Sequence, residues 1–152
     1  MDIKGIGVAK ASKLIAAFEL SKRVNSGKIV GKEVNGAADI ANYYMERLRD
    51  LKKEHFYALL LDSKNRIIKE QLISVGTLNS SLVHPREVFK EAIRNSANAI
   101  ILVHNHASKG EVEASAEDLE ITAKLKEVGN LLGIKVLDHI IIGENSWKKI
   151  NS

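Results

Sequence analysis

Apolar positions along the chain fall into two spacings, one recurring every three to four residues and one running almost continuously, and these separate helices from strands. After the permissive Gly5-Ile6-Gly7, the stripe Val8, Ala11, Leu14, Ile15 and Phe18 predicts a helix reaching to about residue 23. Residues 24–36 are polar and glycine-bearing, which reads as a linker or loop. Ile40, Tyr44, Leu48 and Leu51 then lie on one face of a helix over 37–53. The run from Glu54 to Asp62 is a strand, Ser63-Lys64-Asn65 is a hairpin turn, and a second strand leads from Arg66 towards Val75. Pro85, the only proline, sits where a helix begins, with Val88, Phe89, Ala92 and Ile93 as its core face. Ala97-Asn98-Ala99-Ile100-Ile101-Leu102-Val103 reads as a buried strand. A helix over 115–130 turns Leu119, Leu125 and Val128 inward, Ile134–Ile142 is a strongly apolar strand, and Trp147 to Ile150 closes the sheet. There is no internal repeat or low-complexity tract, and the alternation predicts an α/β domain with a mixed β-sheet flanked by helices.

The chemistry follows the buried strand directly. His104 and His106 stand at i and i+2, so on an extended chain their imidazoles point to the same face and converge. The chain then crosses a polar loop containing Gly110 and enters a helix at Ser115, which places Asp118 in the first helical turn. Folding the loop back brings that carboxylate to the two imidazoles. Two histidines, one carboxylate and an open fourth position are the donor set of a catalytic zinc site. A plainer reading makes Ser115-x-x-Asp118 a helix start, with Ser115 as N-cap and the first-turn acids answering the helix dipole. The tripeptide His104-Asn105-His106 spells HNH, but the nuclease motif of that name spreads its residues over a far longer segment.

Composition narrows the alternatives. The 152 residues suffice for one domain with a genuine core, and 45% hydrophobic with 28% charged residues is ordinary for a soluble globular protein. The absence of cysteine excludes disulfides, thiolate ligands, a cysteine nucleophile and the zinc deaminases, which need cysteine ligands. Met1-Asp2-Ile3-Lys4-Gly5 lacks the apolar core of a secretory leader, and no apolar run approaches the ~20 residues of a membrane span, so the expected compartment is cytoplasmic. Residues 1–36 hold seven Lys and Arg against three acids, which accounts for the whole net charge of +4. A polyanion would therefore meet the N-terminal segment first, unless that charge is only a solvated helix face.

The chain resembles the RadC family within the JAB/MPN (JAMM) group of zinc-dependent proteins. The resemblance rests on the Gly5-Ile6-Gly7 helix start, Glu54-His55-Phe56, Leu61-Asp62, Gly76-Thr77-Leu78, His84-Pro85-Arg86-Glu87-Val88-Phe89, His104-Asn105-His106 and Leu137-Asp138-His139-Ile140. It implies a JAB/MPN-type sheet wrapped by helices, akin to cytidine deaminase, over 37–152. Separately, Gly5-Ile6-Gly7-Val8-Ala9-Lys10-Ala11 resembles the second half of a helix-hairpin-helix, a module contacting DNA backbone, so residues 1–36 would be a partial helix-hairpin-helix and linker. Either its first half is truncated or this helix packs elsewhere and binds nothing. The RadC resemblance further implies His104, His106 and Asp118 as ligands of Zn2+, Glu54 as the residue acting through the bound water, and Ser115 as donor to the oxyanion. From the residues alone, the favoured reading of Glu54 is an exposed acid at a strand end. His55, His84 and His139 are assigned structural parts. The segment from Ala107 to Glu117 is one residue longer than the ten of the JAMM pattern, and Ala107 stands where that pattern has proline.

The leading expectation is a zinc hydrolase cleaving a peptide or isopeptide bond in an unknown protein substrate, with the family's traditional association with DNA repair. The rival is a non-catalytic DNA-associated accessory protein with a structural or vestigial metal site. Metal-dependent phosphodiester cleavage is the weaker third, because only one metal site is visible.

Overall fold

The computed structural model describes residues 7–25, 29–76, 83–107 and 112–150, with the backbone alone for 21–25. In chain order these form α1 (Val8–Asn25), α2 (Ala37–Leu48), β1 (His55–Leu61), β2 (Ile67–Val75), α3 (Pro85–Arg94), β3 (Ala99–Asn105), α4 (Ala116–Leu132), β4 (Lys135–Ile142) and β5 (Trp147–Lys149). The strands make one sheet in the order β2-β1-β3-β4-β5. β1 is antiparallel to β2 and to β3, β3 runs parallel to β4 through the α4 crossover, and β5 returns antiparallel to β4. This is a mixed sheet in an α/β domain, as the alternation of elements predicts. The N-terminal Gly5-Ile6, the Gly76-Thr77-Leu78 segment beyond Gly76, and the loop residues 108–111 lie outside the described residues.

Side-chain parity divides the sheet into two faces. Phe56, Ala58, Leu60, Ile100 and Leu102 pack beneath α3 and α4 with Val88, Phe89, Ile121 and Leu125. Leu59, Leu61, Ile101, Val103, Ile140 and Ile142 pack on the other face against Ile40, Ala41, Tyr44 and Leu48 of α2. The inner strands are therefore covered on both sides and read as continuous apolar runs. His104 shares the parity of Ile100 and Leu102, so it faces α4.

Several faces differ from the periodicity. Ile93 and Leu119 are exposed, and the buried positions of α4 are Asp118, Ile121, Thr122, Leu125 and Gly129. A helix buries only the arc that its neighbours cover, and Leu119 lies one step around from Asp118, outside that arc. The stripe of α1 is not buried either: Val8, Leu14, Ile15 and Phe18 are all exposed. α2 ends at Leu48, short of the predicted 53, and the chain turns through Leu51 N–H to Leu48 C=O to reach β1. The predicted linker is docked in its second half, where Ile29 is buried against the α2 face and Ile67 N–H donates to Lys32 C=O.

The site's second element depends on how α4 stops and turns. Gly133 takes the left-handed conformation at its C-cap, with φ 71°. Gly129 is pressed so closely that an added Cβ would lie 2.5 Å from the Ile134 carbonyl oxygen and 3.3 Å from Phe89 Cζ. Gly129→Ala gains helix propensity of about 1 kcal/mol but forces a backbone clash. We expect a net loss of about 1–2 kcal/mol, read as a lower urea midpoint at unchanged slope; a higher midpoint would show that α4 has room to shift.

Candidate metal centre

β3 carries His104 to its end on the α4 face, and His106 follows immediately beyond the strand. The loop after it returns through Val112, which is buried with Ile141 and Ile150. An added Cβ on Gly143 would fall 2.2 Å from Val112 Cγ2, so that glycine makes the seat for the returning chain. Ser115 then caps α4: its Oγ accepts from Asp118 N–H at 3.1 Å, and its own N–H donates to Asp118 Oδ2 at 2.8 Å. This reciprocal capping box fixes Asp118 at the third helical position and aims its carboxylate at β3. The plainer reading of Ser115 as N-cap is correct, and it is also what builds the cluster.

Asp118 Oδ1 lies 3.1 Å from His104 Nε2, and Oδ2 lies 3.1 Å from His106 Nε2. His104 and Asp118 are buried, whereas the His106 side chain is 18% exposed and gives the cluster its open edge. One ligand atom from each of the three residues falls within 4.8 Å of the others. His104 Nε2 is buried and has no hydrogen-bond partner among the described residues, although Asp118 Oδ1 is beside it. A ring nitrogen and a carboxylate oxygen facing each other in this way are satisfied by a cation between them. The nitrogen and oxygen donors suit a borderline divalent metal. The residues fit.

Electrostatics agree with that use. Burial pushes the His104 imidazole below its ordinary value, keeping it neutral, although Asp118 opposes the shift. The Asp118 carboxylate pulls His106 the other way, above its ordinary value. Burial alone would raise Asp118, but the two imidazoles and the Ser115 amide outweigh it and hold the carboxyl far below the usual range. Burial, then the neighbouring His104, drives His139 well below the ordinary histidine value.

Glu54 stands just before β1, half-buried, where its backbone carbonyl accepts from Gly76 N–H. It lines a cleft of about 320 Å3 with Lys52, Lys53, Gly76 and Ala107. A second cleft of about 260 Å3 reaches His106 itself, between Leu51, Lys52 and Glu144. The charge of Glu54 acts on both His104 and His106. The structure thus joins His104, His106 and Asp118 directly, with Ser115 bound to Asp118, and sets Glu54 in a neighbouring cleft that shares Lys52 and Ala107 with the one reaching His106.

Three residues of the surroundings were not singled out by spacing. Asn105, between the two histidines, accepts from His55 N–H at 2.7 Å and donates to Lys53 C=O at 3.1 Å, tying the approach to β1 onto β3. His139 is wholly buried with its Nε2 2.8 Å from His104 Nδ1, and Thr122 Oγ1 lies 2.6 Å from His139 Nδ1. A lone histidine in the apolar run of β4 and a threonine one turn after Asp118 are the signals they leave in the sequence. His55 and His84 hold local backbone, with His55 Nδ1 against Lys53 C=O and His84 Nδ1 accepting from Arg86 N–H.

Comparison with known proteins places this geometry in a family. A family model described as a RadC-like JAB domain matches residues 34–150. A UPF0758 protein of Staphylococcus haemolyticus is 54% identical over 149 residues, covering 97% of this chain and 65% of that protein. One from Clostridioides difficile is 54% identical over 146 residues, covering 96% of this chain and 62% of that protein. One from Chlorobaculum parvum is 49% identical over 145 residues, with 95% and 65% covered. The chain therefore spans a little under two thirds of the length of these relatives. With the matched segment running from the docked end of the linker through β5, and the His-His-Asp cluster inside it, the chain belongs to the RadC family of JAB domains.

Proposed function

We propose that this chain is a zinc-dependent hydrolase of the JAMM type, acting in the cytoplasm on a peptide or isopeptide bond of a protein substrate. The observation that carries the reading is a buried donor set with one open side. Among the described residues the cluster has three members, and the exposed edge of His106 opens into a cleft. Structural zinc sites are closed by four protein ligands, whereas catalytic ones keep a position free. A zinc ion held by His104, His106 and Asp118 supplies Lewis acidity and makes water acidic enough to react near pH ~7. Glu54, in the neighbouring cleft and with its charge felt by both histidines, takes the proton from the attacking water and passes it to the leaving amine. The Ser115 Oγ lone pair is engaged by Asp118 N–H, which leaves the hydroxyl proton to donate to the developing oxyanion.

The test is Glu54→Gln in the full chain, assayed on peptide and isopeptide libraries beside elemental analysis. Cleavage is expected to fall by about 10²–10⁴-fold while zinc per chain stays at the wild-type level. Cleavage that survives both this substitution and chelation would sink the hydrolase. Duplex DNA binding that falls steeply with salt and vanishes on deleting residues 1–36, without any cleavage, would instead establish the accessory protein.

A further inference from the structure

Three buried contacts on the far side of the metal cluster have only one consistent assignment of protons. Thr122 Oγ1 lies 2.5 Å from the Asp118 carbonyl oxygen. That oxygen carries no hydrogen, so the threonine proton must lie between them and cannot be used elsewhere. Thr122 Oγ1 is also 2.6 Å from His139 Nδ1, so there the ring must supply the proton. His139 is wholly enclosed; among the described residues its two ring nitrogens meet only the Thr122 hydroxyl and His104, and its ring meets Phe56. Asp118, His106 and Lys126 act on it through their charge alone, with burial the larger effect. Such a ring keeps one proton rather than two. With that proton on Nδ1, His139 Nε2 is bare, and His104 Nδ1 at 2.8 Å must donate to it. A neutral His104 is left with a bare Nε2, the buried nitrogen that faces Asp118 Oδ1 with no hydrogen bond among the described residues.

We infer that Thr122 and His139 are positioning residues that fix His104 as its Nδ1–H tautomer and so hold an unprotonated Nε2 toward the metal. The relay begins and ends on metal ligands: the Asp118 backbone orients Thr122, Thr122 orients His139, and His139 orients His104. It therefore couples the capping of α4 to the donor state of β3 without any of its members touching solvent. A ligating histidine whose far nitrogen is fixed by a partner loses no tautomer freedom on binding, and such partners are worth about 10–100-fold in metal affinity. In this chain the immediate partner is a neutral imidazole, and the orientation is set one residue further out, by a hydroxyl whose own proton is committed to a main-chain carbonyl. His139 is thereby moved from a merely structural histidine of β4 to a part of the site.

The inference rests on His104 being a metal ligand, but its first readout needs neither metal nor activity. Long-range nitrogen-15 correlation spectra of the metal-free, histidine-labelled chain at neutral pH report each ring's tautomer. His104 and His139 should both appear with protonated Nδ1 and bare Nε2. In Thr122→Val the acceptor for His139 is gone, so both rings should shift toward the other tautomer, and Zn2+ affinity by competition titration should weaken about 10–100-fold. Thr122→Ser retains the hydroxyl and should restore the wild-type spectrum and affinity. A protonated Nε2 on His104 in the wild-type chain would overturn the inference without recourse to any variant. Equal Zn2+ affinity in wild type and Thr122→Val, or an equal loss in Thr122→Ser, would do so as well. Failure of the hydrolase assay would leave these outcomes untouched.

Discussion

Asp118→Ala should bind no zinc under conditions in which the wild-type chain holds about one ion per molecule. Among the described residues, no other acts on the cluster in so many ways. Its two carboxylate oxygens lie 3.1 Å from the ring nitrogens of both histidines, and Oδ2 also accepts the Ser115 amide proton. Removal of a ligand should cost more than the roughly 10–100-fold that an outer partner is worth. It also breaks the capping box at the start of α4, which should destabilise the chain by about 1 kcal/mol even when chelator is present in both samples. The two effects separate in Asp118→Asn, which keeps a side chain able to accept the Ser115 amide but removes the anionic donor. Zinc should be lost there too, with little change in the metal-free urea midpoint. Stoichiometric zinc in Asp118→Ala, measured by elemental analysis after gel filtration, would rule out the His-His-Asp assignment.

How much of this was legible depends on which residues carry periodic signals. The two histidines were readable because a strand repeats every two residues, so spacing alone puts both rings on one face. Asp118 was readable because Ser115-x-x-Asp118 is a helix start, and that start carries the carboxylate to the two imidazoles. The relay was not, because Thr122, His139 and His104 meet only when α4 packs over β3 and β4. Its separations of 17 and 35 residues belong to the tertiary fold and no local pattern encodes them. The same limit explains Ile93, Leu119 and the stripe of α1. Periodicity identifies an apolar face, but burial depends on whether another element lies over it, and for these residues none in the described structure does.

The metal-free chain should lose stability steeply on mild acidification, well above the range where carboxylates protonate. His104 and His139 are buried, and their folded-state pKa values lie below the ordinary 6.5. A lowered histidine is neutral in the fold but charges in the unfolded chain, so the unfolded state binds more protons as pH falls below ~6.5. Each such group removes about 1.4 kcal/mol per pH unit, and the pair removes about 3, until each reaches its own folded-state pKa. His106 has the opposite sign. Its pKa is raised by Asp118, so its contribution is fully present below 6.5 and is lost as pH rises through the folded value. The carboxylate of Asp118 adds acid sensitivity only below its ordinary 3.8. Stability without metal should therefore peak near pH ~6.5 and fall on the acid side, measured as urea unfolding free energy across pH in chelator. A flat profile between pH ~6.5 and ~5.5 would mean that His104 and His139 are already charged in the fold, or reach water. With zinc bound, His104 Nε2 is occupied and protons must compete with the ion. Acid sensitivity should then move into the metal affinity, and the stability difference between loaded and metal-free chain should shrink as pH falls.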